Sequence, residues 1–110
     1  MSNLSVADFH LKVDAIYRKL ELVLEQHLDV VDIVVESGIF KIISETNGLQ
    51  AILTKQVAVR ELWLALPDKG LHFFYSNQQW QTRDNQQLSQ VLQQAFAEIF
   101  HLEINIAQLY

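Results

Sequence analysis

The stretch Thr54-Lys55-Gln56-Val57-Ala58-Val59-Arg60-Glu61-Leu62-Trp63-Leu64-Ala65, followed by Gly70-Leu71-His72-Phe73 and then by Trp80, decides the fold. Side chains alternate along a strand, so Leu62, Leu64 and Leu66 share one face and Glu61, Trp63 and Ala65 the other. The leucines make a core face. Trp63 is therefore expected to be substantially exposed on an open sheet surface, where a large aromatic is a common anchor of protein contacts. Parity alone also allows a partly covered Trp with no partner.

Upstream and downstream of that stretch, turn signals at Ser37-Gly38, Asn47-Gly48, Pro67-Asp68-Lys69-Gly70 and Asn77 divide the middle of the chain. They separate expected strands at Val30–Glu36, Ile39–Ser44, Gln50–Thr54, Glu61–Leu66, Leu71–Ser76 and around Trp80. Links this short favour an antiparallel meander, since parallel strands need long crossovers. Before the strands, Ser5 to about Leu28 reads as a helix capped by Ser5, with Asp8 in its first turn and Leu4 and Phe9 placed as a staple. Phe9, Val13, Ile16, Tyr17, Leu20, Leu24 and Leu28 form its buried stripe. After the strands, Asp84 and Gln87 resemble a capping box, and Leu88, Val91, Leu92, Ala95, Phe96, Ile99 and Phe100 make one apolar face. The tail from His101 to Tyr110 is apolar enough to pack back on the domain. The expected fold is α+β: a two-layer α–β sandwich, with two helices on one face of an antiparallel sheet of about five to six strands. The other face is bare.

The 110 residues suit one domain, 1–110, with one core. The chain has no cysteine, which excludes disulfides, thiolate zinc sites and cysteine nucleophiles. No basic region followed by an apolar run opens the sequence, and no apolar stretch approaches the roughly 20 residues a membrane span needs. The expected address is the cytoplasm, with no membrane partner. Net charge is −5, and its placement says more than its size. Glu21, Glu25, Asp29, Asp32 and Glu36 occupy a window with no Lys or Arg, whereas the rest of the chain balances eight acids with eight bases. Nucleic acid is an unsuitable partner for such a surface. A cation or a basic protein surface is its complement.

His10, Asp14, Arg18, Glu21 and Glu25 recur at spacings of four and three, so they line one solvent-side stripe of the first helix. Asp29 and Asp32 continue it onto the first strand. Like charges at Glu21 and Glu25 repel, and acids near a helix C-terminus oppose its dipole by roughly 0.3–1 kcal/mol each. Such local costs suit a cation site, although a solvated charged face is the plainer reading. Oxygen ligands fit iron, manganese, magnesium or calcium, and His10 beside Asp14 would better suit Fe(II), cobalt or zinc. No preformed cage is apparent, so affinity should be about micromolar to millimolar. His27 near the helix end, His72 beside Trp63 on the open face and His101 after the second helix are weaker candidates. No nucleophile elbow, phosphate loop or His-Glu-x-x-His motif appears, so catalytic residues are not expected.

Taken together, Lys-Gln-x5-Leu-Trp-Leu-Ala, Gly-x-His-Phe and Trp-x2-Arg-Asp resemble the bacterial frataxin (CyaY) family. The likeness extends from Phe9-His10-x3-Asp14-x-Ile16-Tyr17 to Leu88-x2-Val91-Leu92. It implies a non-enzymatic, weakly iron-binding regulator of iron–sulfur cluster assembly that contacts the cysteine desulfurase and the scaffold machinery. The metal ligands it implies are His10, Asp14, Glu21, Glu25, Asp29 and Asp32, binding Fe(II) or Fe(III) and other divalent cations. The partner-binding residues are Gln56 and Trp63, with Glu25 and Asp32 on the ridge. A monomer with metal-dependent oligomerisation is expected. Leu22 and Gln26 stand where relatives often carry acids, Thr54 where Asn is common and Ala58 where Pro is usual. The ridge is therefore sparse. Two other functions fit the same residues: an Fe(II)-oxidising iron chaperone or store, and a metal-indifferent acidic interaction domain.

Overall fold

The first helix, α1 (Val6–Leu24), begins where the sequence places it, with the Ser5 hydroxyl oxygen accepting the Asp8 N–H at 3.0 Å. A cap of this kind contributes about 1 kcal/mol. The computed structural model describes residues 4–106 and Leu109. Phe9, Val13, Ile16, Tyr17, Leu20 and Leu24 form the buried stripe of α1. Beyond Leu24 the chain tightens into a 3-10 turn at Glu25–His27, and the Val30 N–H then bonds to the His27 carbonyl at 3.0 Å. Leu28, expected to continue the stripe, is instead 55% exposed. A 3-10 turn advances three residues per turn rather than 3.6, which rotates Leu28 out of line with Leu24.

Six strands follow: β1 (Val31–Glu36), β2 (Ile39–Ser44), β3 (Gln50–Gln56), β4 (Glu61–Ala65), β5 (Gly70–Ser76) and β6 (Gln79–Gln81). They form one antiparallel sheet in chain order, with β1 and β6 at its edges. Compared with the sequence reading, β3 runs on to Gln56 and β4 stops at Ala65. The registers Phe40↔Leu53↔Leu64↔Leu71 and Lys55↔Leu62↔Phe73 define the face under the helices. The opposite face carries Glu36, Ile39, Thr54, Trp63 and His72 in one cross-strand row and Val34, Lys41, Ile52 and Ala65 in the next.

The second helix, α2 (Leu88–Phe100), buries Leu88, Leu92, Ala95, Phe96 and Phe100, while Val91 and Ile99 pack partly against the core. Its start corrects the sequence reading. Gln87 is the N-cap and makes no side-chain capping bond. Asp84 belongs to the preceding loop, where it accepts the Thr82 hydroxyl and, at 3.0 Å, the Gln86 amide. These bonds hold its carboxyl below the ordinary carboxylate pKa range. Local side-chain bonds in the loop outcompeted the cap that the spacing suggested.

The tail packs back as expected: Leu102, Ile104, Ile106 and Leu109 are buried in the same cluster as both helices and the sheet. The Ile106 N–H reaches the Gln93 side chain of α2 at 3.3 Å, and Glu103–Asn105 lie beside Leu22 and Val23 of α1 and Gln26 of the 3-10 turn. The segment thus fills the seam between the helices. Ala107, Gln108 and Tyr110 lie outside the described residues.

Candidate cation and partner-binding surfaces

The stripe of ligand-type side chains on α1 divides into two unlike parts. At its N-terminal end His10 is partly buried, not on the solvent side as periodicity suggested. The reason lies across the layer on β3. Lys55 shares the helix-side face with Leu53 and Leu62, and its Nζ reaches Asp14 Oδ1 at 2.7 Å and His10 Nδ1 at 3.0 Å. Its side chain is only 12% exposed, against 54% for Asp14. The stem passes over Gly38, whose φ of +80° is a conformation that glycine adopts without strain. A Cβ at that position would sit 3.3 Å from Lys55 Cδ. The Tyr17 hydroxyl ties the same corner together by donating to the Gly38 carbonyl at 2.7 Å, with the Leu53 carbonyl at 3.3 Å. Burial, and then the nearby Asp14 carboxylate, push the Tyr17 phenol well above its ordinary pKa.

At the other end Glu21 and Glu25 meet Asp32 around an open groove of about 700 Å³. Arg18 is its one cation, and its apolar lining comes from Leu22, Leu28, Ile33 and Val35. Leu22 is 59% exposed and Val35 43% exposed. Alternation explains the apolar lining: Val31, Ile33 and Val35 face α1 along β1, and only Val31 is fully covered. Asp32 also accepts its neighbour's backbone N–H, from Ile33, at 3.0 Å. Asp29 is exposed but does not line the groove. Among the described residues, no three His, Asp or Glu side chains are grouped so that they could hold a metal ion. The groove can therefore offer a cation one or two carboxylates, with water completing its shell.

On the bare sheet face Trp63 sits where parity placed it, opposite the buried Leu62 and Leu64. Its exposure is less than expected. His72 on β5 stacks on the indole with ring centroids 4.0 Å apart and planes within 6°. The Trp63 Nε1–H donates to Glu61 Oε1 at 2.8 Å, and Glu61 Oε2 lies 3.5 Å from Arg83 Nη2. Glu61, on the outer parity, is nevertheless buried at 7% exposure because Trp63 and Arg83 converge on it. Gln56, partly buried, pairs with Glu61 in the cross-strand row next to that of Trp63. The same face also carries Ile39, Ile43, Ile52 and Phe74, half-covered among Thr54, Lys41 and His72, with no second layer above them among the described residues.

Sequence reasoning missed three of these features: the Lys55 bridge, the Glu61–Arg83 support beneath Trp63, and the apolar lining of the acidic groove. The first was detectable. Lys55 has the parity of Leu53 and Leu62, so its ammonium had to find a partner on the helix side.

Fold and surfaces together define a class, a two-layer α–β domain with an acidic groove beside one bare sheet face. Residues 2–102 match the model of the frataxin-like domain. An iron–sulfur cluster assembly protein CyaY from Pasteurella multocida is 32% identical over 101 residues, covering 89% of this chain and 98% of the relative. Its namesake from Haemophilus influenzae strain PittEE is 31% identical over 83 residues, covering 76% and 81%. Among solved structures, a frataxin of the CyaY family from Psychromonas ingrahamii superimposes with a TM-score of 0.83 at 22% identity, covering 93% of this chain and 97% of that one. A trimeric frataxin from the yeast Saccharomyces cerevisiae, complexed with ferrous iron, gives 0.68 at 23% identity, covering 93% and 91%. The chain belongs to the frataxin-like family.

Proposed function

We propose that this protein is an iron-responsive adaptor of iron–sulfur cluster assembly that carries Fe(II) weakly on its acidic groove and docks on the cysteine desulfurase. The observation that carries this reading is that Glu21, Glu25 and Asp32 all line one groove with a single Arg. The names of the CyaY relatives and the ferrous complex of the yeast frataxin support the iron and the pathway. Oxygen ligands without a closed cage suit a cargo that must be released, since affinity follows ligand number and rigidity. Trp63, held by His72 and Glu61, supplies the aromatic contact on the bare face, with Gln56 nearby. The acids Glu25 and Asp32 steer a basic partner surface towards it.

Anaerobic Fe(II) titration of wild type and of a Glu21→Gln/Asp32→Asn variant tests the cargo role, with desulfurase binding measured alongside. Weaker Fe(II) binding in the variant is the expected result. Unchanged binding would remove the groove from the metal role. One observation favours a second reading, a metal-indifferent acidic docking domain: the groove has an apolar lining and, among the described residues, no three grouped ligands. Desulfurase affinity unchanged by saturating Fe(II) would select it.

A further inference from the structure

We infer that Lys55 is the resident cation of the His10–Asp14 pair and shuts divalent metal out of the N-terminal end of the stripe. The inference deepens the metal role proposed above, because it says which of the ligand-type residues remain available. An ammonium has donors and no acceptor, so at 3.0 Å the His10 Nδ1 must present its lone pair to Lys55. In neutral imidazole the other nitrogen, Nε2, then carries the proton. Neither ring nitrogen is left to bind a metal. Asp14 contributes Oδ1 to the same ammonium at 2.7 Å.

Displacing Lys55 is more than turning a surface side chain. Its stem is almost wholly covered and lies over Gly38, and its backbone N–H bonds to the Gly38 carbonyl at 3.2 Å. Only with the ammonium swung aside would the His10 Nδ1 lone pair be free for a metal, whereas Nε2 would first need a change of tautomer. A dication arriving with Lys55 in place would meet a positive charge within a few ångströms, in a setting screened less than bulk water. The pair that looked best suited to Fe(II), cobalt or zinc by sequence is thereby neutralised by the protein itself. Cation binding is left to Glu21, Glu25 and Asp32.

The test uses Zn(II) alone, followed by the imidazole 15N shifts of His10 and the amide shifts along α1 and β1. In wild type the His10 ring shifts are expected to stay unmoved at Zn(II) concentrations that shift Glu21, Glu25 or Asp32. In Lys55→Met, His10 and Asp14 should respond, with binding there at least about tenfold tighter than in wild type. Lys55→Arg should keep the block. Adding His10→Gln to Lys55→Met should abolish the gained site. Early movement of the wild-type His10 nitrogens would overturn the inference, and so would a folded Lys55→Met that gains nothing. If Lys55→Met does not fold, the wild-type His10 nitrogens decide. Failure of the groove to bind Zn(II) would count against the adaptor's metal role while leaving the Lys55→Met result to decide this one.

Discussion

Trp80 and Trp63 stand on neighbouring parts of the same sheet, yet only one of them belongs to the core. Trp80 is fully buried on the helix side, edge-on to Phe9 and Tyr75 at centroid distances of 6.0 and 5.4 Å. Trp63 lies on the other face, partly covered by one histidine and held by one carboxylate. Both faces carry large apolar and aromatic residues, the helix side more of them. What differs is the layer above them, since α1, α2 and the tail all cover one side. Composition alone therefore does not say which aromatic is structural. Strand parity does, once the helices are known to share a side.

The largest test of this contrast is truncation of each ring. Trp80→Ala should cost about 3–5 kcal/mol of folding stability in urea melts. Trp63→Ala should cost less than about 2 kcal/mol, because its ring is only partly buried and no helix packs over it. Equal losses would mean that the bare face is load-sharing core, and the contrast would collapse.

Next in size is the effect on association. If the desulfurase docks on the bare face, Trp63→Ala should weaken it by about 2 kcal/mol or more, mostly through faster dissociation. Surface plasmon resonance across a salt series would separate this from steering. Association rates should fall with salt, while the Trp63 effect on dissociation persists. Loss of binding through the association rate alone would assign the Trp to steering, contrary to the geometry.

On the buried side, Tyr17→Phe leaves two carbonyls without its hydroxyl and should cost about 1–2 kcal/mol. The phenol's folded pKa is raised, so its stabilising contribution is complete below the unfolded value of about 10. That contribution is lost as the pH climbs above 10 towards the folded value. Urea melts from pH 8 to pH 12 should show wild type losing its advantage over Tyr17→Phe at the alkaline end. A constant difference over that range would show that the phenol's pKa is not raised in the folded protein.

The smallest effect belongs to the acidic groove. Glu21→Gln or Asp32→Asn should raise stability by a few tenths of a kcal/mol at low salt, as self-repulsion falls. The gain should vanish at about 1 M salt, where screening reaches about 3 Å. A loss of stability would mean that these acids are paired in solution.

Much of this architecture is legible in the chain because two periods carry it. Helical spacing marks Phe9 to Leu24 and Leu88 to Phe100, and alternation marks Leu62 and Leu64 against Trp63. Both are local, so they survive without knowledge of the tertiary fold. The failures occurred where another side chain, near or distant in sequence, competes for the same group. Asp84 looked like a helix cap until Thr82 and Gln86 took its carboxylate. His10 and Asp14 looked like a free ligand pair until Lys55, on another element, occupied it. The groove acids were visible as a charge window, whereas the apolar lining beneath them needed β1 to be set against the end of α1.

The free edge of β1 gives those acids a second consequence. Among the described residues its one strand neighbour is β2, so, the Ile33 N–H that Asp32 accepts apart, its outward N–H and carbonyl groups could template another strand. Asp32 and Glu36 put like charges on that edge in every copy, which makes them gatekeepers against strand-to-strand aggregation. Removing them to study metal binding would therefore exact a solubility penalty, most visible at high protein concentration and high salt.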